Sequence, residues 1–175
     1  EELRQVKAIP QQIEPNATAK QEPGTGQEDR RLEESELLID LEHGAGNDVI
    51  MYNQLQVLAG TATTPIVRID DSTRPNVQHI LDAGASGIMF PQIQKPEEAD
   101  HVIRMMYYPP RGIRGMAKMV RATGFGKSTN AYINGLEKNI IGVIQIETIN
   151  SLKHIDAIAA IDGVDVLFVG PNDLS

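Results

Sequence analysis

The 175-residue chain contains no cysteine and no tryptophan, and only 4% of its residues are aromatic. Without cysteine there is no disulfide, no thiolate metal site and no thiol nucleophile. An excess of positive charge is also missing. The formal net charge is −8, which argues against a polyanion binder, since proteins that bind nucleic acid are usually basic. No apolar run approaches the roughly 18 residues a membrane span needs. No charged-then-apolar signal segment opens the chain. The expectation is a cytoplasmic protein, or a piece of one, with neither nucleic acid nor membrane as partner.

What remains is ordinary for a globular domain: 41% hydrophobic and 23% charged residues. The distribution is uneven. Residues 1–36 have few apolar side chains, three prolines, and five basic against nine acidic residues, a net of −4 and half the charge of the whole chain. Such a composition cannot bury enough surface to offset ordering entropy. It predicts a flexible arm over 1–36, followed by the folded unit over 37–175.

From residue 37 apolar runs alternate with helical patterns. Strands are expected at 37–42, 64–69, 86–91, 140–147 and 164–170, with a possible sixth near Ile113. Helices are expected at 47–60, with Asn47 as N-cap and Val49, Leu55 and Leu58 near helical spacing, and at 74–84, 95–108, 128–139 and 149–161. Strand–helix alternation implies a parallel sheet. Short strands that are nearly all apolar imply cover on both faces. An open doubly wound sheet and part of a (β/α)8 barrel both satisfy this pattern.

The strand ends separate the two. They carry Asp40, Glu42 and His43, then Arg68, then Gln145 and Glu147, then Asn172 and Asp173. In a barrel those C-terminal ends converge on one mouth. In an open sheet they would be strung along an edge. The barrel accounts for the pattern better. On that geometry Glu147 and Asp173 form a hard-oxygen pair suited to Mg²⁺ or Mn²⁺. Arg68 can grip an anionic substrate oxygen through its planar fork. His43 can move protons near neutral pH, with Asp40 three residues earlier to orient its ring. Together these groups suit chemistry beside a carbonyl, where an enolate must be stabilised. After the arm, lysines stand at 95, 118, 127, 138 and 153. None ends a clear strand, so the metal route is favoured over a Schiff base.

Two other features are weaker. GFGKST (124–129) lacks the first glycine of a phosphate loop, because position 121 is Arg. The basic stretch with Arg111, Arg114, Lys118 and Arg121 reads equally as a contact for an acidic substrate and as loop or subunit charge.

Taken in order, DLEHG, PIVRI, LDAGASGIMFP, YYPPRGIRG, VIQIET and VDVLFVGPNDLS resemble the HpcH/HpaI aldolase family. These are class II, metal-dependent pyruvate aldolases such as 2,4-dihydroxyhept-2-ene-1,7-dioate aldolase, within the citrate lyase β-subunit superfamily. The resemblance implies a TIM barrel of the phosphoenolpyruvate/pyruvate type. It also implies reversible aldol cleavage of a 4-hydroxy-2-keto acid to pyruvate and an aldehyde, with Mg²⁺ or Mn²⁺, or alternatively Co²⁺, as cofactor. By position, Glu147 and Asp173 would bind the metal. Arg68 would hold pyruvate and its enolate, and His43 with Asp40 would be the acid–base. Asp82 would reach a neighbouring subunit's site. Gln145, Gly170, Pro171 and Asn172 would line the substrate, and the assembly would be a homo-oligomer, a hexamer in that family. Three departures stand out: no first strand is evident before residue 37, the last strand and terminal helices are not evident after Ser175, and Asn172 stands where a small residue is commoner. An incomplete barrel is therefore expected. The alternatives are a lyase acting on an acyl-CoA thioester and a truncated, non-catalytic homologue.

Overall fold

The period-2 and period-3.6 segments fold as a repeating strand–helix chain in the computed structural model, which describes residues 36–171 and 174. The five strands are β1 (Glu36–Asp40), β2 (Thr64–Arg68), β3 (Gly87–Phe90), β4 (Ile141–Ile146) and β5 (Val166–Val169). Between them lie α1 (Asp48–Leu58), α2 (Arg74–Asp82), α3 (Pro96–Met106), α4 (Thr129–Asn139) and the short pair α5 (Ile149–Lys153) and α6 (Ile155–Ala159). Of the expected arm, only Glu36 falls among the described residues, and it opens β1.

All pairings are parallel and the strand order is β1-β2-β3-β4-β5. A sequential order has no switch point, which removes the doubly wound alternative. The side chains sort accordingly. Val67, Ile88, Phe90, Ile144 and Ile146 pack with Leu55, Val77, Ile80, Val102, Leu136 and Ile158 of the helices. The opposite face carries a separate cluster of Ile66, Met89, Val143 and Val166, with Ile141 and Phe168 against it. Helices thus cover one face, and the other face turns inward. This is a stretch of barrel wall, five strands wide.

Local sequence explains most element boundaries. The Asn47 side chain accepts from the N–H groups of Val49 and Ile50 at 3.1 and 3.0 Å, capping α1 as expected. Val49 itself is 68% exposed; Met51 and Leu55 are the residues that α1 buries. Pro75 and Pro96 sit in the first turns of α2 and α3, where a missing N–H does no harm. Gly142 meets a steric demand. A Cβ there would lie 2.3 Å from the Gly163 carbonyl oxygen and 2.6 Å from Ile103 Cδ1.

Two expectations fail. No strand forms near Ile113. The N–H groups of Gly112, Ile113 and Arg114 instead donate to the carbonyls of Tyr108, Arg104 and Tyr107 at the end of α3, so they are unavailable to a ladder. The single helix expected at 149–161 is broken at His154, whose φ of −107° and ψ of 11° are not helical. No Pro or Gly marks that break.

The returning loop after α3 delivers Arg114 into the interior, where it is 1% exposed. Its guanidinium donates to Asp82 at 2.6 Å and to the Tyr132 hydroxyl at 3.1 Å. It also lies 4.8 Å from the Tyr108 ring centroid. Asp82 ends α2, and α2 runs back from the strand C-termini, so this pair belongs to the opposite end of the sheet. The basic stretch is largely structural. Arg111 stacks on Tyr107 and pairs with Asp162 and Glu137. Arg121 donates to the carbonyls of Ala83 and Leu55. Removing one member of a buried ion pair leaves the other charge desolvated. Asp82→Ala is therefore expected to lower stability by about 3 kcal/mol or more, read from urea unfolding at neutral pH.

Candidate active site

Strand alternation decides which polar residues meet. Asp40 and Arg68 are register partners on β1 and β2. Arg68 lies two residues beyond Ile66 and so shares the inner face with it. By the same parity Gln145 and Glu147 follow Val143 onto that face. All four sit at C-terminal strand ends, and the structure brings them together.

They form a continuous chain of contacts. Arg68 Nε donates to Asp40 Oδ1 at 2.9 Å, and its Nη2 donates to Asp40 Oδ2 in a short second bond. This is the bidentate fork that suits a guanidinium to a carboxylate. Arg68 Nη1 reaches Gln145 Oε1 at 3.4 Å. Gln145 Nε2 then donates to Glu147 Oε2. The other Glu147 oxygen accepts from the backbone N–H of Gln92. Gln145 is 3% exposed. Its partners fix the amide orientation: oxygen toward the guanidinium, nitrogen toward the carboxylate.

The hydrogen bond from Arg68 holds the Asp40 carboxyl below its ordinary value of 3.8, against an opposing push from burial. Arg68 is held more firmly protonated by the same bond.

Asp40 does not orient His43 in the way the sequence suggests. Its Oδ1 accepts from the backbone N–H of Glu42 at 3.0 Å and of His43 at 3.2 Å, closing a tight turn. Gly44 completes that turn, since a Cβ there would lie 2.2 Å from the Asp40 carbonyl oxygen. The carboxylate beside the His43 ring is Glu42, with Oε2 3.7 Å from Nε2. The His43 side chain is 71% exposed, whereas that of Glu42 is 12% exposed. Asp82 is not brought to this cluster; it pairs with Arg114. Gly170 follows β5 and donates to the Ile146 carbonyl at 2.9 Å, which sets it beside Glu147. Pro171 is exposed. Asn172 and Asp173 lie outside the described residues. Among the described residues, no three His, Asp or Glu side chains are grouped to hold a metal ion.

Sequence reasoning missed two contributors. Glu42 gets no role from the strand-end pattern, although an acid between a strand and a glycine turn is a usable signal. Gln92 carries none, because it acts through a backbone N–H. Its φ of +60° turns that N–H toward Glu147, a conformation uncommon for a residue with a side chain.

A sequence profile of the HpcH/HpaI aldolase/citrate lyase family matches residues 32–175. This chain belongs to that family. The chain is 39% identical over 145 residues to the hydroxypyruvate/pyruvate aldolase of Paraburkholderia phytofirmans, an alignment covering 79% of this chain and 55% of that protein. It is 39% identical over 140 residues to the 5-keto-4-deoxy-D-glucarate aldolase of Shigella boydii, covering 79% and 54%. An HpcH/HpaI aldolase/citrate lyase family protein from Burkholderia cenocepacia superposes with a TM-score of 0.76 at 36% identity, over 80% of this chain and 56% of that one. The chain thus spans about half the length of the curated relatives it matches. For an HpcH/HpaI chain, the five-stranded sheet described above is part of the barrel wall.

The Asp40–Arg68 pair predicts an acid response with a definite sign. A depressed folded-state pKa contributes stability that is present above the unfolded value, near 3.8, and is lost as pH falls through the lower folded value. Asp40→Asn is expected to flatten that part of the stability–pH curve, measured by urea unfolding at stepped pH below 4.

Proposed function

We propose that the protein is a metal-dependent aldolase that reversibly cleaves a 4-hydroxy-2-keto acid to pyruvate and an aldehyde. The observation that carries this reading is the contact chain from Asp40 through Arg68 and Gln145 to Glu147. It sets one fixed cation and one buried carboxylate side by side at the strand ends.

Arg68 is the anchor for the keto acid. Among the described residues, its bonds to Asp40 and Gln145 use three of the five N–H groups of a guanidinium. The other two suit a substrate carboxylate or the enolate oxygen. With Asp40 gripping two corners of the fork, Arg68 is pre-set in orientation, which favours charge that develops during reaction. His43, on the exposed turn, holds and moves the proton that passes to and from the hydroxyl lost or gained in the aldol step.

The donor chemistry fits a hard divalent cation. The ionisable groups around the site are oxygen donors and one imidazole, and the chain has no thiol. Among the described residues, Asp40, Glu42 and Glu147 all act on Arg68, so the cluster carries excess negative charge that a cation would offset. Glu147 would supply one ligand, held still by Gln145 and the Gln92 N–H, and Asp173 is the expected second. When bound, Mg²⁺ or Mn²⁺ polarises the keto carbonyl as a Lewis acid. The subunit-bridging role expected of Asp82 stays within this reading, with Arg114 fixing its carboxylate.

The test is pyruvate release from a 4-hydroxy-2-keto acid with Mg²⁺ or Mn²⁺, repeated with excess chelator. Loss of activity on chelation and recovery on adding metal are expected; activity indifferent to chelator would overturn the metal route. Glu147→Ala is expected to abolish Mn²⁺ binding, followed by electron paramagnetic resonance. His43→Ala is expected to keep Mn²⁺ binding while turnover falls by roughly 10²–10⁴-fold, the usual contribution of a positioned acid–base group. Unchanged turnover in that variant would remove His43 from the mechanism.

A further inference from the structure

The turn after β3 holds Gln92 at a φ of +60°. A residue with a side chain seldom takes that conformation, because its Cβ crowds the following carbonyl oxygen. Such strain persists only where the surroundings over-determine it. The surroundings here do so on both sides. Phe90, Pro91 and Ile93 are buried, and Phe90 and Ile93 belong to the core against the helices. The Gln94 N–H donates to Glu98 at 2.8 Å, just ahead of α3. Gln92 itself is exposed between these anchors. Among the described residues, its one hydrogen bond runs from the backbone N–H to Glu147 Oε1.

The acceptor gives that bond its weight. Glu147 is buried, so water is not a ready substitute for a lost donor. Its other oxygen accepts from Gln145 Nε2, and Gln145 is held by Arg68. One side of the carboxylate is therefore tied through Gln145 to the arginine, and the other side is tied to the β3 turn. The direction of the second tie depends on the sign of φ at residue 92. With Pro91 and Ile93 kept in place, an ordinary negative φ would turn the Pro91–Gln92 peptide over. The Pro91 carbonyl oxygen would then face the carboxylate, where a donor now stands.

The structure assigns Gln92 as a positioning residue for Glu147, acting through its left-handed backbone and not through its side chain. The N–H fixes Oε1, Gln145 fixes Oε2, and the carboxylate is held ready for a divalent cation. Groups that orient a metal-binding carboxylate in this way commonly govern its affinity. The inference rests on the metal-dependent reading for the identity of the ligand, whereas the hydrogen bond that carries it does not.

Two measurements on the full chain test it. The first is Mn²⁺ titration followed by electron paramagnetic resonance. Gln92→Val is expected to weaken Mn²⁺ binding about tenfold or more, because a β-branched residue resists positive φ. Gln92→Gly keeps the N–H and removes the crowding Cβ. It is expected to bind Mn²⁺ about tenfold more tightly than Gln92→Val. Gln92→Ala is expected to fall between them, and it replaces Gln92→Val if that variant does not fold. If Gln92→Gly binds as weakly as Gln92→Val, the side chain is what matters and the inference is overturned. A lowered urea midpoint in Gln92→Val with wild-type Mn²⁺ affinity would also overturn it, since the turn would then serve stability alone. The second measurement needs no metal: the backbone amide resonance of Gln92. In wild type the proton is expected downfield and slow to exchange with solvent, and in Glu147→Ala it is expected to move upfield and exchange faster. An amide resonance indifferent to Glu147→Ala would sink the assignment. If wild type binds no Mn²⁺, the metal reading fails, and the amide resonance still decides whether Gln92 holds Glu147.

Discussion

The register between β1 and β2 is the constraint on which the rest depends. Asp40 and Arg68 are direct neighbours in parallel strands, so their side chains leave the sheet on the same face and side by side. A shift of one residue would send one of them to the helix-covered face. There it would meet the apolar cluster around Val67, Ile88 and Phe90, with no partner for its charge. The burial of Ile39 and Val67 against the helices therefore fixes the ion pair, and the ion pair makes the alternative register costlier still.

From that pair the site extends laterally through hydrogen bonds of fixed polarity. Arg68 must donate, a carboxylate must accept, and Gln145 between Arg68 and Glu147 does both. A glutamate at 145 would set two carboxylates against each other; a leucine would leave Glu147 with the Gln92 N–H alone among the contacts described. Burial makes such a relay sensitive to every member, because each unmatched group is desolvated. Glu42 shows the remaining imbalance. It is the third carboxylate near one guanidinium, and one of its oxygens lacks a hydrogen-bond donor among the described residues. A fold selected for stability alone would not gather these charges, since apolar side chains of similar volume are commonly neutral or better. Perturbed, paired charges in one place favour a functional reading of the cluster.

Much of this was readable from the sequence, because it rests on periodicity. Each expected strand other than the one near Ile113 is present, and the residues read at strand ends (Asp40, Arg68, Gln145 and Glu147) do meet. What failed depends on contacts that periodicity does not encode. Asp40 and His43 are three residues apart, and nearness in the chain suggested a pair. Nearness across the sheet put Asp40 on Arg68, because register neighbours present both oxygens to the fork while a tight turn offers only backbone N–H groups. The basic stretch 111–121 reads equally as a substrate contact and as loop or subunit charge, and Arg114 is neither: it is buried beside Tyr108 and Asp82. Charge composition does not distinguish an arginine that meets solvent from one that replaces core. Gln92 is a harder case: every residue but proline has an N–H, and only the turn after β3 determines where it points.

The two ends of the sheet carry charge in different ways, and the difference separates stability from chemistry. At the end where α2 returns, Arg114 and Asp82 are matched one to one, sealed by Tyr108 and Tyr132. Among the described residues, only the Arg114 Nε is buried there without a hydrogen-bond partner. At the strand C-termini the charges do not balance, the histidine is exposed, and the turn that holds them depends on Gly44 for space. In barrels the C-terminal face is where loops supply function while the opposite face supplies stability. The buried Arg114–Asp82 pair at one end leaves the charge at the other to be balanced by something outside the contacts described. The unmatched oxygen of Glu42 belongs to that imbalance: Arg68 Nε lies 3.4 Å from it with its one hydrogen on Asp40, and the exposed His43 ring lies 3.7 Å away.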